Sequence, residues 1–373
     1  MADVTKSVIA GGGGDYTTIT AAEAASDVST GWYKIEIQDN STYTEAVNIS
    51  GSTGTDSATN YVWLTAASAN RHNGSFSGSH CRLHQTGSLT CLTVSDSYAR
   101  IDWLHFYRTS VGITDAGIMS VQADNAVVSK CMFGDHFAAG VRDSGWSVFG
   151  GASGLRTVSI DNCVTVGAGG TGVQLQSTSG GDLTVNMEHC SFARNGASTA
   201  SEPASGVYIY TWSNTATPTA ILNIYNNAAS GPNSVSQFDW TFQSGGFATL
   251  TLNGSNNLTE TGVSLLGSVV VNNTTSWQTA SSGIATVSKT SGSWWVVLVD
   301  ADADTGDLRL LDEEAGNLAA NNGINRIGSE PDSRQDFSID IAGNTRDTTS
   351  VDIGAYVFVA AALDGGWGRI PCF

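Results

Sequence analysis

The stretch best equipped for chemistry is FGDHFAAGVRDSG, where Asp135, His136, Arg142 and Asp143 set an acid, a base and an anion-clamping guanidinium close together. Those residue types suit general acid–base work, provided that a proton donor and acceptor reach one reacting centre. The same string also reads as a loop of solvated charges between two strands, and that is the reading expected here. A second grouping, DADADTGD, alternates Asp300, Asp302 and Asp304 as a calcium loop alternates its oxygen ligands. Its register departs from that pattern, because Gly306 falls one residue late and Leu311 stands where a twelfth-position glutamate belongs. A solvated acidic turn is expected, with a structural calcium ion as the alternative.

Cys131, Cys163 and Cys190 recur in KCMF, NCVT and HCSF at spacings of 32 and 27. Those spacings fit no zinc pattern, so the three are expected to form an interior ladder of small apolar thiols. In GVYIYTW, period-two alternation puts Tyr208, Tyr210 and Trp212 on one face of a strand. Facing outward they would make a platform for sugar rings or another subunit, and facing inward they would be core. Phe238, Trp240 and Phe242 alternate with polar residues and are expected inside, one coil later, stacked on the first row at a spacing of 28. No Gly-x-Ser-x-Gly elbow is present, and Gly11 to Gly14 lack the Gly-Lys-Ser/Thr of a phosphate loop or any dinucleotide fingerprint, so no cofactor is expected.

The elements that would carry these residues repeat. Short β-branched runs ending in a small or amide residue recur as YARIDWLHF, NAVVSKCMF, RTVSIDNCV, DLTVNMEHC, TAILNIYNN and ATLTLNGSN. A glycine followed by Val or Ile opens a second kind of strand at Gly117, Gly140, Gly172, Gly206 and Gly262, at intervals of 23, 32, 34 and 56. The last interval is twice 28, and the missing member is expected in VSQFDWTF. A period near 28 suits a coil of three short strands, stacked on the next coil at about 4.8 Å. The fold expected is therefore all-β: a single-stranded right-handed parallel β-helix with a short N-terminal capping helix and a C-terminal cap. Residues 1–30 are assigned to the N-terminal cap, with Thr20 and Glu23 as a capping box; 31–290 are assigned to the coils and 291–373 to the C-terminal cap and tail.

Composition fits a folded solenoid, with 43 glycines, 5 prolines and 13% charged residues. No stretch approaches the roughly 18 apolar residues of a membrane helix, so no membrane partner is expected. A formal charge of −18 repels phosphate backbones, which excludes nucleic acid as the expected partner. The opening MADVTKSVIAGGGGDY has no signal-peptide pattern, so synthesis in a host cytoplasm is expected. The six cysteines then read as free thiols, and the sequons at Asn48 and Asn257 read as composition.

GGGGDYTTITAAEAAS followed by STYTEAVNIS resembles the opening coil of pectin methylesterases and other pectate-lyase-like β-helix proteins. DIAGNTRDTTSVDIGAYVF resembles the D-x-x-G-x-x-R…D-I-G-A-Y-E ending of bacterial and phage β-helix proteins, with Val357 at the usual acidic position. With NRHNG around His72, the chain looks like uncharacterised β-helix proteins of tailed phages and environmental bacteria. The resemblance implies architecture and transfers no catalytic residue. At the C-terminal end Gly343 and Gly354 suit tight turns, and Asp340, Arg346 and Asp352 are expected to form a paired network closing the stack. Glycoside hydrolysis needs two acids about 5 to 9.5 Å apart, yet the sequence has no Asp-Asp pair and lacks the Gly-His-Gly and Arg-Ile-Lys elements of polygalacturonases. The Asp-Phe-Ile-Phe-Gly and Leu-Gly-Arg-Pro-Trp motifs of pectin methylesterases are absent too. The function expected is thus a structural protein of a tailed-phage virion, foremost a capsid decoration protein and next a tail spike, fibre or receptor-binding subunit. Its partners would be major capsid or tail proteins, itself as a homotrimer, and a surface glycan. The alternative is a carbohydrate-active enzyme, because this superfold hosts both roles.

Overall fold

Tyr33, Ile35 and Ile37 are buried while Lys34 and Glu36 are half-buried, the period-two pattern of a strand with one face on a core. In the computed structural model this strand, Tyr33–Ile37, pairs in parallel with Val4–Val8 on one side and Val62–Ala66 on the other. The structure describes residues 3–108, 118–134, 146–149, 155–166, 172–178, 181–193, 207–213, 219–230, 240–246, 249–259, 263–266, 269–272, 287–288 and 325–349, less 75, 77, 87 and 88.

Parallel pairing propagates through three sheets, of 10, 9 and 8 strands among the described residues. The first runs from Val4–Val8 to Val269–Asn272, the second from Thr42–Tyr43 to Val287–Ser288, and the third from Val47–Ile49 to Val263–Leu266. Each coil visits the three in that order, which is a single-stranded parallel β-helix of the right-handed sense that parallel crossovers take. On the first sheet Ile35, Leu64, Ile101, Val128, Ile160, Met187, Ile224 and Gly254 stack in register, although the chain between successive members varies in length. The register is kept while the loops absorb the variation. The strand missing from the glycine series is Trp240–Gly246, between Val207–Ser213 and Val263–Leu266.

From Trp103 onward the corner from first to second sheet is two residues long, and its first residue has a left-handed backbone: Trp103, Lys130, Asn162, His189, Asn226 and Asn256, with φ between 51° and 58°. Asparagine tolerates that conformation, whereas Trp, Lys and His meet a steric cost of roughly 1–2 kcal/mol that the surroundings must offset. The second corner residue points inward and is Leu104, Cys131, Cys163, Cys190, Asn227 and Asn257 in turn. The expected cysteine ladder is therefore present, at the corner rather than within the strand. Burial holds the Cys131 and Cys190 thiols well above their ordinary pKa, so they are neutral small hydrophobes. The ladder continues as amides: Asn227 Nδ2 donates to Met187 O and Asn257 Nδ2 to Ile224 O, each at 2.8 Å. Asn257 is thus a buried structural amide, in keeping with reading its sequon as composition. A further amide stack runs along the first sheet, where Asn253 donates to Asn223 at 2.9 Å and Asn223 to Asn186 at 2.8 Å.

At the N-terminal end the structure changes two expectations. Val4–Val8 is already a first-sheet strand, so the coils begin within residues 1–30. The helix is Ile19–Glu23 with Thr18 as its N-cap, whose side chain accepts from Ala21 N at 3.2 Å, so Thr20 and Glu23 are not a capping box. Glu45 takes the next orphan donors, accepting from Ile19 N at 2.7 Å and Thr20 N at 2.8 Å, and Glu23 instead accepts from Ser50 N at 2.9 Å. Ile19 and Ala22 enter the core and plug the first coil.

Close packing also reaches loops outside the sheets. A Cβ at Gly134 would lie 2.6 Å from Phe76 Cδ1 and nearer still to Cε1, and Phe76 is fully buried. Gly134→Ala is expected to cost about 1–3 kcal/mol by overpacking. A Gly134→Ala/Phe76→Leu double variant should recover much of that loss, as read from urea midpoints.

Candidate functional site

The chemistry-bearing side chains that the fold gathers are a row of acids on the first sheet. Parallel register aligns Asp102, Ser129, Asp161, Glu188 and Tyr225 one above the other. All lie in the outer phase of their strands, yet Asp102, Asp161 and Glu188 are at most 1% exposed: the segment 325–349 engages Asp161 and Glu188, and Arg100 and Trp63 engage Asp102.

This segment departs from the expected terminal cap. It runs as a strap along the flank of the stack. Arg326 clamps Glu188 bidentately at 2.9 and 3.0 Å and lies 4.6 Å from the Tyr225 ring centre. Arg334 donates to Asn125 O at 2.5 Å and to Tyr98 O, is paired to Asp332, and stands over the rings of Tyr61 and Tyr98. Gln335 Nε2 donates to Asp161 Oδ1 at 2.8 Å, and Lys130 Nζ donates to Asp336 O at 3.0 Å. Phe337 is fully buried, edge-on to His189 at 5.5 Å.

Of the C-terminal residues expected to close the stack, Asp340, Gly343 and Arg346 lie among the described residues. Asp340 holds its own turn, accepting from Ala342 N at 2.9 Å and Asn344 N at 2.6 Å, while Gly343 supplies the left-handed residue at φ +86°. Arg346 Nη2 reaches a coil corner, donating to Asn162 Oδ1 at 2.7 Å. Asp352 and Gly354 lie outside the described residues.

The electrostatics of the row are those of fastening. Asp161 accepts from Ser129 Oγ at 2.7 Å, Asn162 Nδ2 at 2.9 Å and Gln335, with Lys130 Nζ 3.9 Å away. Asp102 pairs with Arg100 at 2.8 Å and accepts from Trp63 Nε1 at 3.0 Å. Burial pushes the Glu188 carboxyl above its ordinary value, and the Arg326 guanidinium opposes that push. At Asp332 burial also pushes upward, but the hydrogen bonds and charge of Arg334 outweigh it and hold the carboxyl low. A carboxylate with both oxygens engaged by fixed donors is a poor proton carrier, so the row is suited to holding the strap.

The aromatic row expected at Tyr208 sits on the third sheet. Tyr208 pairs in register with Gln174 and Thr241, Tyr210 with Gln176 and Gln243, and Trp212 with Thr178 and Gly245. Val207 and Ile209 align instead with Trp240 and Phe242, both fully buried. Trp240 and Phe242 are thus interior as expected, stacked at 6.2 Å and 7°. The two aromatic rows do not stack, however, because the coil that joins them is longer than the expected repeat and sets Val207, not Trp212, beside Trp240. Tyr208, Tyr210 and Trp212 hold the strand phase opposite to the core residues. Asp135, His136, Arg142, Asp143, Phe238, Asp300, Asp302 and Asp304 lie outside the described residues. Among the described residues, no group of three or more His, Cys, Asp or Glu could hold a metal ion, and no helix is long and apolar enough to cross a membrane.

The coil of three strands with its two-residue left-handed corner defines the class, a single-stranded parallel β-helix. Neither a family model nor a curated protein matches the chain. Solved structures similar to it include the pectin methylesterase from Aspergillus niger in deglycosylated form, at 13% identity over 77% of this chain and 90% of that one, with a TM-score of 0.45. Another is the pectate lyase Pel9A, at 13% identity over 96% of each chain, with a TM-score of 0.43.

Proposed function

We propose that this chain is a structural protein of a virion surface, foremost a capsid decoration protein and next a tail spike, fibre or receptor-binding subunit. The observation that carries this reading is the use made of the buried carboxylates. Asp161 and Glu188, at the centre of the first-sheet row, lock a strap to the coils, and Asp102 pairs with Arg100 and Trp63. A rod stiffened in this way suits a load-bearing surface part, and a net charge of −18 keeps it off packaged nucleic acid. Its contact face would be the Tyr208, Tyr210 and Trp212 row, taking a capsid or tail protein, a second copy in a homotrimer, or a surface glycan. The site of action would be the virion surface, after synthesis in a host cytoplasm.

The second reading, a carbohydrate-active enzyme, is favoured by the amides of Gln174, Gln176 and Gln243 at register positions beside the tyrosines. Amides and aromatic rings together suit sugar hydroxyls and ring faces. The triple variant Tyr208→Ala/Tyr210→Ala/Trp212→Ala is expected to lose co-sedimentation with the native assembly at an unchanged melting temperature. A panel of acidic and neutral polysaccharides should show no new reducing ends. Turnover that disappears in Asp135→Ala/His136→Ala would establish the enzyme instead.

A further inference from the structure

Between Ala66 and Arg82 the chain leaves the coil, makes a short 3-10 turn at Ser68–Asn70 and, among its described residues, sets Phe76 and His80 against His105 of the second sheet. Histidines fasten it. His72 and His80 on the excursion are 3% exposed, and His105 on the sheet beneath is fully buried. His72 Nε2 meets Lys130 O at 2.9 Å, and Gly74 N–H donates to His72 Nδ1 at 3.4 Å. A carbonyl only accepts and an amide N–H only donates, so this ring is neutral, with its proton on Nε2. A second proton on Nδ1 would set N–H against N–H.

His80 Nε2 and His105 Nδ1 are 2.8 Å apart, so one ring donates and the other must be a bare acceptor. Phe76 closes the excursion down, edge-on to His105 at 5.3 Å. The charged and titratable groups around these rings are predominantly cationic among the described residues. The excursion brings Arg71, 4.8 Å over the Trp103 ring, and the second sheet brings Arg82, which donates to Phe76 O at 3.0 Å, with His84 and Tyr107 stacked beside it. The corner brings Lys130, whose ammonium is 3.9 Å from Asp161. Asp39, on the turn that precedes Thr42–Tyr43, is engaged by Tyr43 Oη at 2.8 Å and by Ser41 Oγ at 2.9 Å.

We propose that the excursion 67–81 is an acid-released latch over the outer face of the second sheet, shut by neutral His72 and His80 and opened when both take up protons. The His72 contacts carry this, since a carbonyl at Nε2 and a backbone N–H at Nδ1 admit only the neutral ring; a protonated His80 could still donate to His105, and its proton is opposed by burial and by Arg82. Burial first, then the neighbouring His80 and Arg71, hold His72 down to about 3, and burial with Arg82 holds His80 down to about 4. A released histidine titrates near 6.5. The closed form therefore binds fewer protons than the open form below that value, so closure is complete above about pH 6.5 and is lost as pH falls toward 4 and then 3. With both rings contributing, the open-to-closed ratio rises about a thousandfold from pH 8 to pH 5.

Hydrogen exchange of the full chain, corrected for the pH dependence of the chemical rate, tests this. The expected result is an approximately thousandfold loss of protection at Gly74 and Cys81 between pH 8 and pH 5, with Ala126–Ser129 unchanged. His72→Gln/His80→Gln, in which amides replace titrating rings, is expected to flatten that dependence. Unchanged protection at Gly74 and Cys81 in the wild-type protein would overturn the latch, whatever the variant does. Equal loss at 126–129 would overturn it as well, since that is global unfolding.

Discussion

Asp161→Ala is expected to destabilise the chain by about 3–5 kcal/mol, the loss that follows when one partner of a buried charged network is removed. The carboxylate is fully buried and accepts from Ser129, Asn162 and Gln335, so its removal strands three donors and leaves Lys130 without its nearest counter-charge. The effect should spread along the strap. Amides of 325–349 are expected to lose hydrogen-exchange protection well before those of Leu183–Glu188. Asp161→Asn keeps the shape and one acceptor oxygen and should cost about half as much. If Asp161→Ala unfolds with a wild-type urea midpoint and a protected strap, the fastening role of the acid row is wrong.

The second large effect is expected from Trp240→Ala. Trp240 is fully buried and packs against Phe242 at 6.2 Å and Phe192 at 6.0 Å, so truncation opens a cavity among rigid rings and costs about 3–5 kcal/mol. Trp212, in the opposite strand phase, should by contrast accept Ala with a change below about 1 kcal/mol. Paired urea titrations of the two variants therefore check the register of the third sheet. Equal losses would mean that both indoles are core.

The coil is legible in the sequence because its signal is local. YARIDWLHF, NAVVSKCMF and their successors each contain a first-sheet strand and at least the first residue of the corner after it, the first three also reach into the second sheet, and the cysteine spacing marks the same corner three times. Register is less legible, since it depends on loop length between strands. A spacing of 28 predicts Tyr210 beside Phe238, but a longer loop places Val207, and not Trp212, beside Trp240. The strap is not legible at all. Nothing local in NRIGSEPDSRQDFSID says that Arg326 must find Glu188 from 138 residues away, or Arg334 the carbonyl of Asn125 from 209 away. The only available signal is the odd occurrence of Asp, Lys and Glu near strand ends otherwise rich in Ser and Asn. The histidine latch is equally hidden, because NRHNG shows one histidine and the fold brings two more to it.

Cryo-EM of the native assembly purified from the cells that make this chain tests the central claim most directly. The account predicts ordered copies of the β-helix on a capsid or tail surface, with the third-sheet face at Tyr208 against a neighbouring protein or glycan and the strap in place. Assemblies that lack the chain, with all of it recovered as free protein that depolymerises a polysaccharide, would contradict it.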